Sequence, residues 1–151
     1  EVALLPQQSG IFFFFFFIFA QRYVHDLAKW QQLKVDTQEQ VIGRTKLESI
    51  ELDDEVKPEN AHVARTVVED ADGEEMEILR HSLPYGDGQG EQGLFFVAYT
   101  HDLNIIDAML NRMFGTAGDA IHDRLLHFTT AVDGAYYFAP SNELLAQILQ
   151  D

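Results

Sequence analysis

Residues 11–20 read Ile-Phe-Phe-Phe-Phe-Phe-Phe-Ile-Phe-Ala, and this stretch limits what the chain can fold into more than any other. As a helix, ten residues would rise about 15 Å, half of a hydrocarbon core about 30 Å thick, so the stretch is too short to span a membrane as a helix. Aromatic and β-branched side chains favour strands, and a strand apolar on both faces must be covered on both. The segment is therefore expected to be a buried strand over Ile11–Ala20, entered from a loop at Pro6–Gly10. No Lys or Arg precedes Arg22, so the positive flank of a secretion signal is absent, and the expected location is cytoplasmic. A run of identical rings fills space uniformly, whereas strands usually vary their side chains. A second reading thus stays open, in which this end is altered or artificial sequence fused to an ordinary domain. The expected division is an atypical segment over 1–19 and one folded domain over 20–151.

Beyond the strand, Asp26 is placed to cap a helix through Leu27, Ala28, Trp30 and Leu33, and a second short helix is expected from Thr37 to Ile42, stopped by Gly43. Residues 48–77 hold twelve of the 25 acidic residues and read as a long loop, with a bend at Asp70–Gly73. Glu75–Leu83 is an expected strand and Pro84–Gly93 a glycine-rich turn. Leu94–Tyr99 is a buried strand, and Asp102–Phe114 a helix with Leu103, Ile106, Met109, Leu110 and Met113 on one face. A short helix is expected around Ala120–His127, then a strand at Ala135–Ala139 stopped by Pro140. Ser141 would cap a last helix that turns Leu144, Leu145 and Ile148 inward. This order predicts an α+β, ferredoxin-like βαββαβ fold, a four-stranded antiparallel sheet with helices on one face.

Charge and cysteine content narrow the function. A net charge of −15 argues against nucleic-acid binding and against anionic membranes, since both need a basic face. Without cysteine the chain has no disulfide, iron–sulfur cluster or thiolate metal site, so imidazoles are the expected transition-metal ligands. There is no phosphate loop, dinucleotide-binding glycine pattern, HExxH or nucleophile elbow. His122 and His127 are five apart, a poor metal spacing on one helix. His62, at the end of the acidic loop, reads either as a structural histidine or as a ligand pointing into a pocket. Arg80, among Met76, Ile78, Leu79 and Leu83, needs an anionic partner, either the acidic loop or a ligand.

Several ordered blocks carry a resemblance. They are Gln21-Arg22-Tyr23-x-His25, Val41 to Lys46, Ala61-His62 with Arg65, Ile78 to Gly86, Met113-Phe114, Asp123-Arg124-Leu125-Leu126, and Thr129 through Gly134 to Ser141. Over residues of about 20–140 the chain resembles the C-terminal half of bacterial dye-decolorizing haem peroxidases. The resemblance implies haem b as cofactor, His62 as the iron ligand, and Asp123 as the carboxylate accepting the other imidazole N–H. It further implies Arg80 as the cationic catalytic residue over the opposite haem face, with Ser82 beside it. Phe96 to Tyr99 and Met109, Leu110 and Met113 would either pack around the porphyrin or form plain core. Tyr99, Tyr136, Tyr137 and Trp30 are candidate electron relays or packing groups.

The expected activity is that of the intact enzyme, oxidation of dyes or phenolic donors by hydrogen peroxide, with a homo-oligomer as the expected assembly. The family's Gly-x-x-Asp-Gly motif does not occur here, so these residues alone are expected to be inactive and to bind haem weakly. Two rivals remain at this point, a non-enzymatic haem-binding or delivery module and a cofactor-free oligomerisation domain.

Overall fold

A computed structural model describes residues 15–86 and 90–150 of the chain. The expected loop at Pro6–Gly10, the start of the first strand and part of the glycine turn lie outside the described residues. Four strands, β1 (Phe15–His25), β2 (Leu79–Tyr85), β3 (Gly93–Thr100) and β4 (Thr129–Pro140), form one antiparallel sheet in the order β2-β3-β1-β4. With the helices between the strands, this is the expected α+β ferredoxin-like arrangement. β1 lies inside the sheet, between β3 and β4, so neither edge of its apolar first half is left unpaired.

Register decides what each face carries. Phe19 lies opposite Ala98 on β3 and Tyr136 on β4, and all three point to the helical side. There Phe19 and Ala98 pack with Ile106 in a buried cluster flanked by Phe96, Ile78 and Leu110. The side-chain period of two puts Gln21, Tyr23 and His25 on this same face, and on edge strand β2 it puts Arg80 opposite Ala98 and Ser82 opposite Phe96. The reverse face carries Phe16, Tyr99, Leu79 and Tyr137, all exposed in this chain. A register shift between Arg22 and Tyr23 marks a bulge in the β1–β4 pairing.

Of the helices, α1 (Leu27–Gln31) is capped by Asp26, whose Oδ1 accepts the Lys29 N–H at 2.9 Å. Helix α2 (Val35–Ile42) ends at Gly43, where φ is +90°. A Cβ there would sit 3.2 Å from Val63 Cβ and 3.3 Å from Ala61 Cβ, so glycine is needed both for the turn and for the approach of the next helix, α3 (His62–Thr66). Helix α4 (Leu103–Met113) buries Ile105, Ile106, Met109 and Met113.

Several expectations are corrected. The acidic stretch 48–77 is not all loop, because it contains α3, beginning at His62. The first strand runs on to His25 rather than stopping at Ala20, and β4 starts at Thr129 rather than Ala135. β2 begins at Leu79 and takes in Pro84, tolerated because an edge strand can spare one N–H. No α-helix forms over Ala120–His127: Ala120 has φ +56°, Asp123 is extended with ψ 122°, and only the 3-10 turn Arg124–His127 follows. In the last helix, α5 (Asn142–Ile148), Leu145 and Ile148 are exposed rather than inward. Helical periodicity identifies an apolar face but cannot supply a surface to cover it.

Candidate functional site

Between the helical side of the sheet and α3 and α4 lies a cavity of about 610 Å³. Its apolar walls come from Phe19, Leu94, Phe96, Ile106, Met109 and Met113, and Leu110, Leu125 and Leu126 complete them. His62, Arg80 and Ser82 all line it, so a helix residue and two strand residues meet at one cavity. The size suits a cofactor-scale ligand, and apolar walls with few polar groups are the usual composition of such a site.

His62 is held from behind. Its Nδ1–H donates to Asp123 Oδ2 at 2.6 Å, which leaves Nε2 as the nitrogen available to a ligand. The Asp123 carboxylate is completely buried, and its Oδ1 accepts the Leu125 N–H at 2.8 Å. Asp123 is itself fixed by its own N–H on the Met113 carbonyl at 2.8 Å. The neighbouring Arg124 N–H reaches the Asn60 carbonyl at 2.9 Å, tying this segment to the start of α3.

Two arginines clamp α3 onto α4. Buried Arg65 donates from Nε to the Arg112 carbonyl at 2.9 Å, and Arg112 donates back to the Ala64 carbonyl at 2.7 Å. A terminal nitrogen of Arg65 also lies 2.7 Å from Asp119 Oδ2, an ion pair without hydrogen-bond alignment. The Ile121 N–H, with Arg65 in support, holds the Asp119 carboxyl below its ordinary range.

Arg80 and Ser82 stand on β2, on the face shared with Phe96, and both are exposed. The cavity is thus open along the edge strand. Arg44, Glu51, Glu75 and Glu77 add charge to its lining, with Arg44 paired to Glu51 at 3.1 Å.

His25 is a cavity residue to which the sequence reading gave no role. Its Nδ1 lies 2.8 Å from Thr129 Oγ1, and burial lowers its pKa from the usual value. Strand alternation counted from Phe19 was the signal that could have found it. Tyr23, buried on the same face, has its phenol pushed up to about 12, first by burial and then by Asp123. Of the expected packing residues, Phe96, Met109, Leu110 and Met113 line the cavity, whereas Tyr99 points to the opposite face of the sheet.

Among the described residues, no group of three or more His, Asp, Glu or Cys is arranged to hold a bare metal ion. The cavity instead presents a single imidazole backed by a carboxylate. Among the described residues, no helix is long and apolar enough to cross a membrane.

The family model described as "Dyp-type peroxidase, C-terminal" matches residues 14–144. A dye-decolorizing peroxidase of Mycobacterium tuberculosis is 47% identical over 131 residues, covering 85% of this chain and 38% of that protein. Among solved structures, a Rhodococcus jostii RHA1 DypB variant in complex with heme superposes with a TM-score of 0.82 at 41% identity, over 87% of this chain and 43% of that one. The encapsulated DyP-type peroxidase of Mycobacterium smegmatis gives a TM-score of 0.82 at 45% identity, over 87% and 43% of the two chains. The chain therefore spans less than half the length of the relatives it matches.

Proposed function

We propose a function from one premise: this chain belongs to the dye-decolorizing (DyP-type) peroxidase family, as its C-terminal domain. On that premise it is a haem-binding domain, with haem b as the bound form, and the protein it serves uses hydrogen peroxide to oxidise a dye or phenolic donor. The observation that carries this reading is the 2.6 Å bond from His62 Nδ1 to a fully buried Asp123, at the wall of an apolar cavity. One backed imidazole does not fit a bare ion, which needs several protein ligands. It would fit a metal most of whose ligands come from a macrocycle, and the apolar walls would suit the faces of that macrocycle.

In this role His62 Nε2 holds the iron. Asp123 fixes the imidazole's tautomer and orientation and, by accepting the Nδ1 proton, makes Nε2 a stronger donor. Bound haem supplies the redox chemistry with peroxide. Arg80 lines the same cavity from the sheet side, where its cation would attract peroxide and offset negative charge on it. The Ser82 hydroxyl, two residues along the same face, offers a hydrogen bond to the same region. Phe19, Phe96, Met109 and Met113 exclude water around the ligand.

The presence of Arg80 in the cavity favours a peroxidase over a haem-delivery module, which needs His62 but no cation. The exposed aromatic and aliphatic residues on the reverse sheet face support assembly with further protein, a second copy of the chain included.

Titration of the chain with hemin, read at the Soret band, tests the domain function. His62→Ala is expected to abolish the histidine-ligated spectrum, while Arg80→Ala keeps it and loses peroxide-dependent dye oxidation in the longer protein. An unchanged spectrum in His62→Ala would sink the reading.

A further inference from the structure

We infer that His122 and His127 are a positioning pair for Asp123: their mutual hydrogen bond closes the turn around that carboxylate while at most one of the two rings is charged, and opens it when both are. The inference rests on the reading of Asp123 as the group that holds an iron-ligating His62. The two Nε2 atoms lie 2.8 Å apart, and ring centroids 5.1 Å apart set the imidazoles end to end along the N···N line. Both side chains are exposed, and neither lines the cavity.

Asp123 sits inside the loop that this bond closes. His122 directly precedes it and the 3-10 turn Arg124–His127 follows it, with the Leu125 N–H on Asp123 Oδ1 at 2.8 Å. The backbone ties the segment at two points, the Asp123 N–H on the Met113 carbonyl and the Arg124 N–H on the Asn60 carbonyl. His122 is fixed against the turn after α4, where a Cβ added at Gly115 would meet His122 Cβ at 3.2 Å. His127 is fixed toward α1, where Lys29 Nζ donates to its carbonyl at 2.9 Å. Joining the two rings therefore links these anchors, and the carboxylate that accepts the His62 proton lies between them. A bond of 2.6 Å to a completely buried carboxylate tolerates little displacement, so the closure bears on His62 although neither ring touches the cavity.

Two imidazole nitrogens at this distance need a proton on the line between them. With both rings neutral, one donates its Nε2–H and the other accepts through an unprotonated Nε2. One added proton, on the donor ring's Nδ1, leaves that arrangement intact and makes the bond charge-assisted. A second proton has only the accepting Nε2 to occupy. Two N–H groups on two cations then face each other, and the rings must part. The charged groups around the pair are Asp119 after α4, Asp26 and Lys29 at α1, and Asp123 and Arg124 in the segment itself. Each of these carboxylates already has a partner other than the two imidazoles: Asp119 has Arg65, Asp26 the Lys29 N–H, and Asp123 His62.

The test is nitrogen-15 NMR of the 151-residue chain without haem, at pH 8 and at pH 5, the ends of the range in which imidazole ordinarily titrates. Amide-exchange protection of Asp123, Arg124 and Leu125 is read beside it, with Ile106 in the core as the standard for an intact fold. The parent is expected to show a coupling across the two Nε2 atoms at pH 8, and to lose both the coupling and the protection of Leu125 at pH 5. His127→Phe keeps a ring but no bond, and should be unprotected at both. His127→Gln can still hydrogen-bond His122 but cannot become charged, and should stay protected at both. Hemin titration at pH 8 should then find His127→Phe weaker by roughly three- to tenfold, less than for removal of the carboxylate itself, and His127→Gln close to the parent. Absence of the coupling, parent-like protection and hemin affinity in His127→Phe, or loss of protection at pH 5 in His127→Gln would overturn the inference. Failure of the haem reading shows separately, as an unchanged hemin spectrum in His62→Ala, and the haem-free measurements still decide the role of the pair.

Discussion

His62 donates its Nδ1 proton to Asp123 Oδ2 across 2.6 Å, and the accepting carboxylate has no contact with solvent. The two residues come from separate parts of the chain and are joined only by the fold. Because the same carboxylate also accepts the Leu125 N–H, its position is set by the backbone and not by the imidazole.

Asp123→Ala removes both bonds at once and leaves the His62 donor without its acceptor. Hemin affinity is expected to fall roughly 10–100-fold, the range for losing a partner behind a metal-bound histidine. Asp123→Asn keeps the shape but accepts more weakly. It should raise the midpoint potential of bound haem, because a less electron-rich imidazole stabilises oxidised iron less. Spectroelectrochemical titration reads that shift, and a lowered potential would contradict the role given to Asp123.

Arg65→Met tests the clamp that carries His62. The substitution keeps much of the buried stem but removes the charged donor to the Arg112 carbonyl, worth about 1.5–3 kcal/mol for a charge-assisted bond. Urea denaturation should show a loss in that range. Hemin affinity should fall with it, although Arg65 does not line the cavity. Its ion pair with Asp119 adds little, because Asp119 is exposed to water.

Tyr23 and Tyr136 are each expected to ionise near pH 12. For Tyr136 the causes are burial and its 2.6 Å hydrogen bond to Asp107 Oδ1. A phenol whose folded pKa lies above its unfolded value of 10 gives stability that is full below pH 10 and is lost as pH climbs from 10 to 12. Phenolate absorbance of Asp107→Asn should show one tyrosine moved back toward its ordinary range, and an unchanged curve would refute the assignment.

His25 gives the opposite dependence, at the acid end. Burial lowers its pKa below 6.5, so the fold favours the neutral ring. The contribution is present above pH 6.5 and lost as pH falls below that value through the folded pKa, where the unfolded chain binds the proton more readily. Thermal melts of His25→Gln should therefore lose less stability between pH 7 and pH 5 than those of the parent chain.

Much of this was legible from local pattern. An apolar strand near the start, the Asp26 and Ser141 caps, the Gly43 stop and the apolar stripe of α4 are all short-range signals, and each produces the element it implies. His62, Arg80, Ser82 and Asp123 were singled out by their sequence blocks. What those blocks could not supply was the length of β4, the helical turn inside the acidic stretch, or the exposure of Leu145 and Ile148. Each of these depends on a partner surface far away in sequence.

His122 and His127 mark the same boundary most sharply. Their spacing would splay the two rings on a helix, yet Asp123 between them is extended, a 3-10 turn follows, and the two Nε2 atoms meet at 2.8 Å. By itself, then, the sequence determined the four strands, the capped helices and the identity of the chemically capable side chains, because periodicity and capping act within a few residues. Tertiary structure alone decided which of those side chains meet. Strand register put Arg80 and Ser82 on the cavity face, and the two backbone bonds of the Asp123 segment, to Met113 and Asn60, carried a carboxylate to within 2.6 Å of His62.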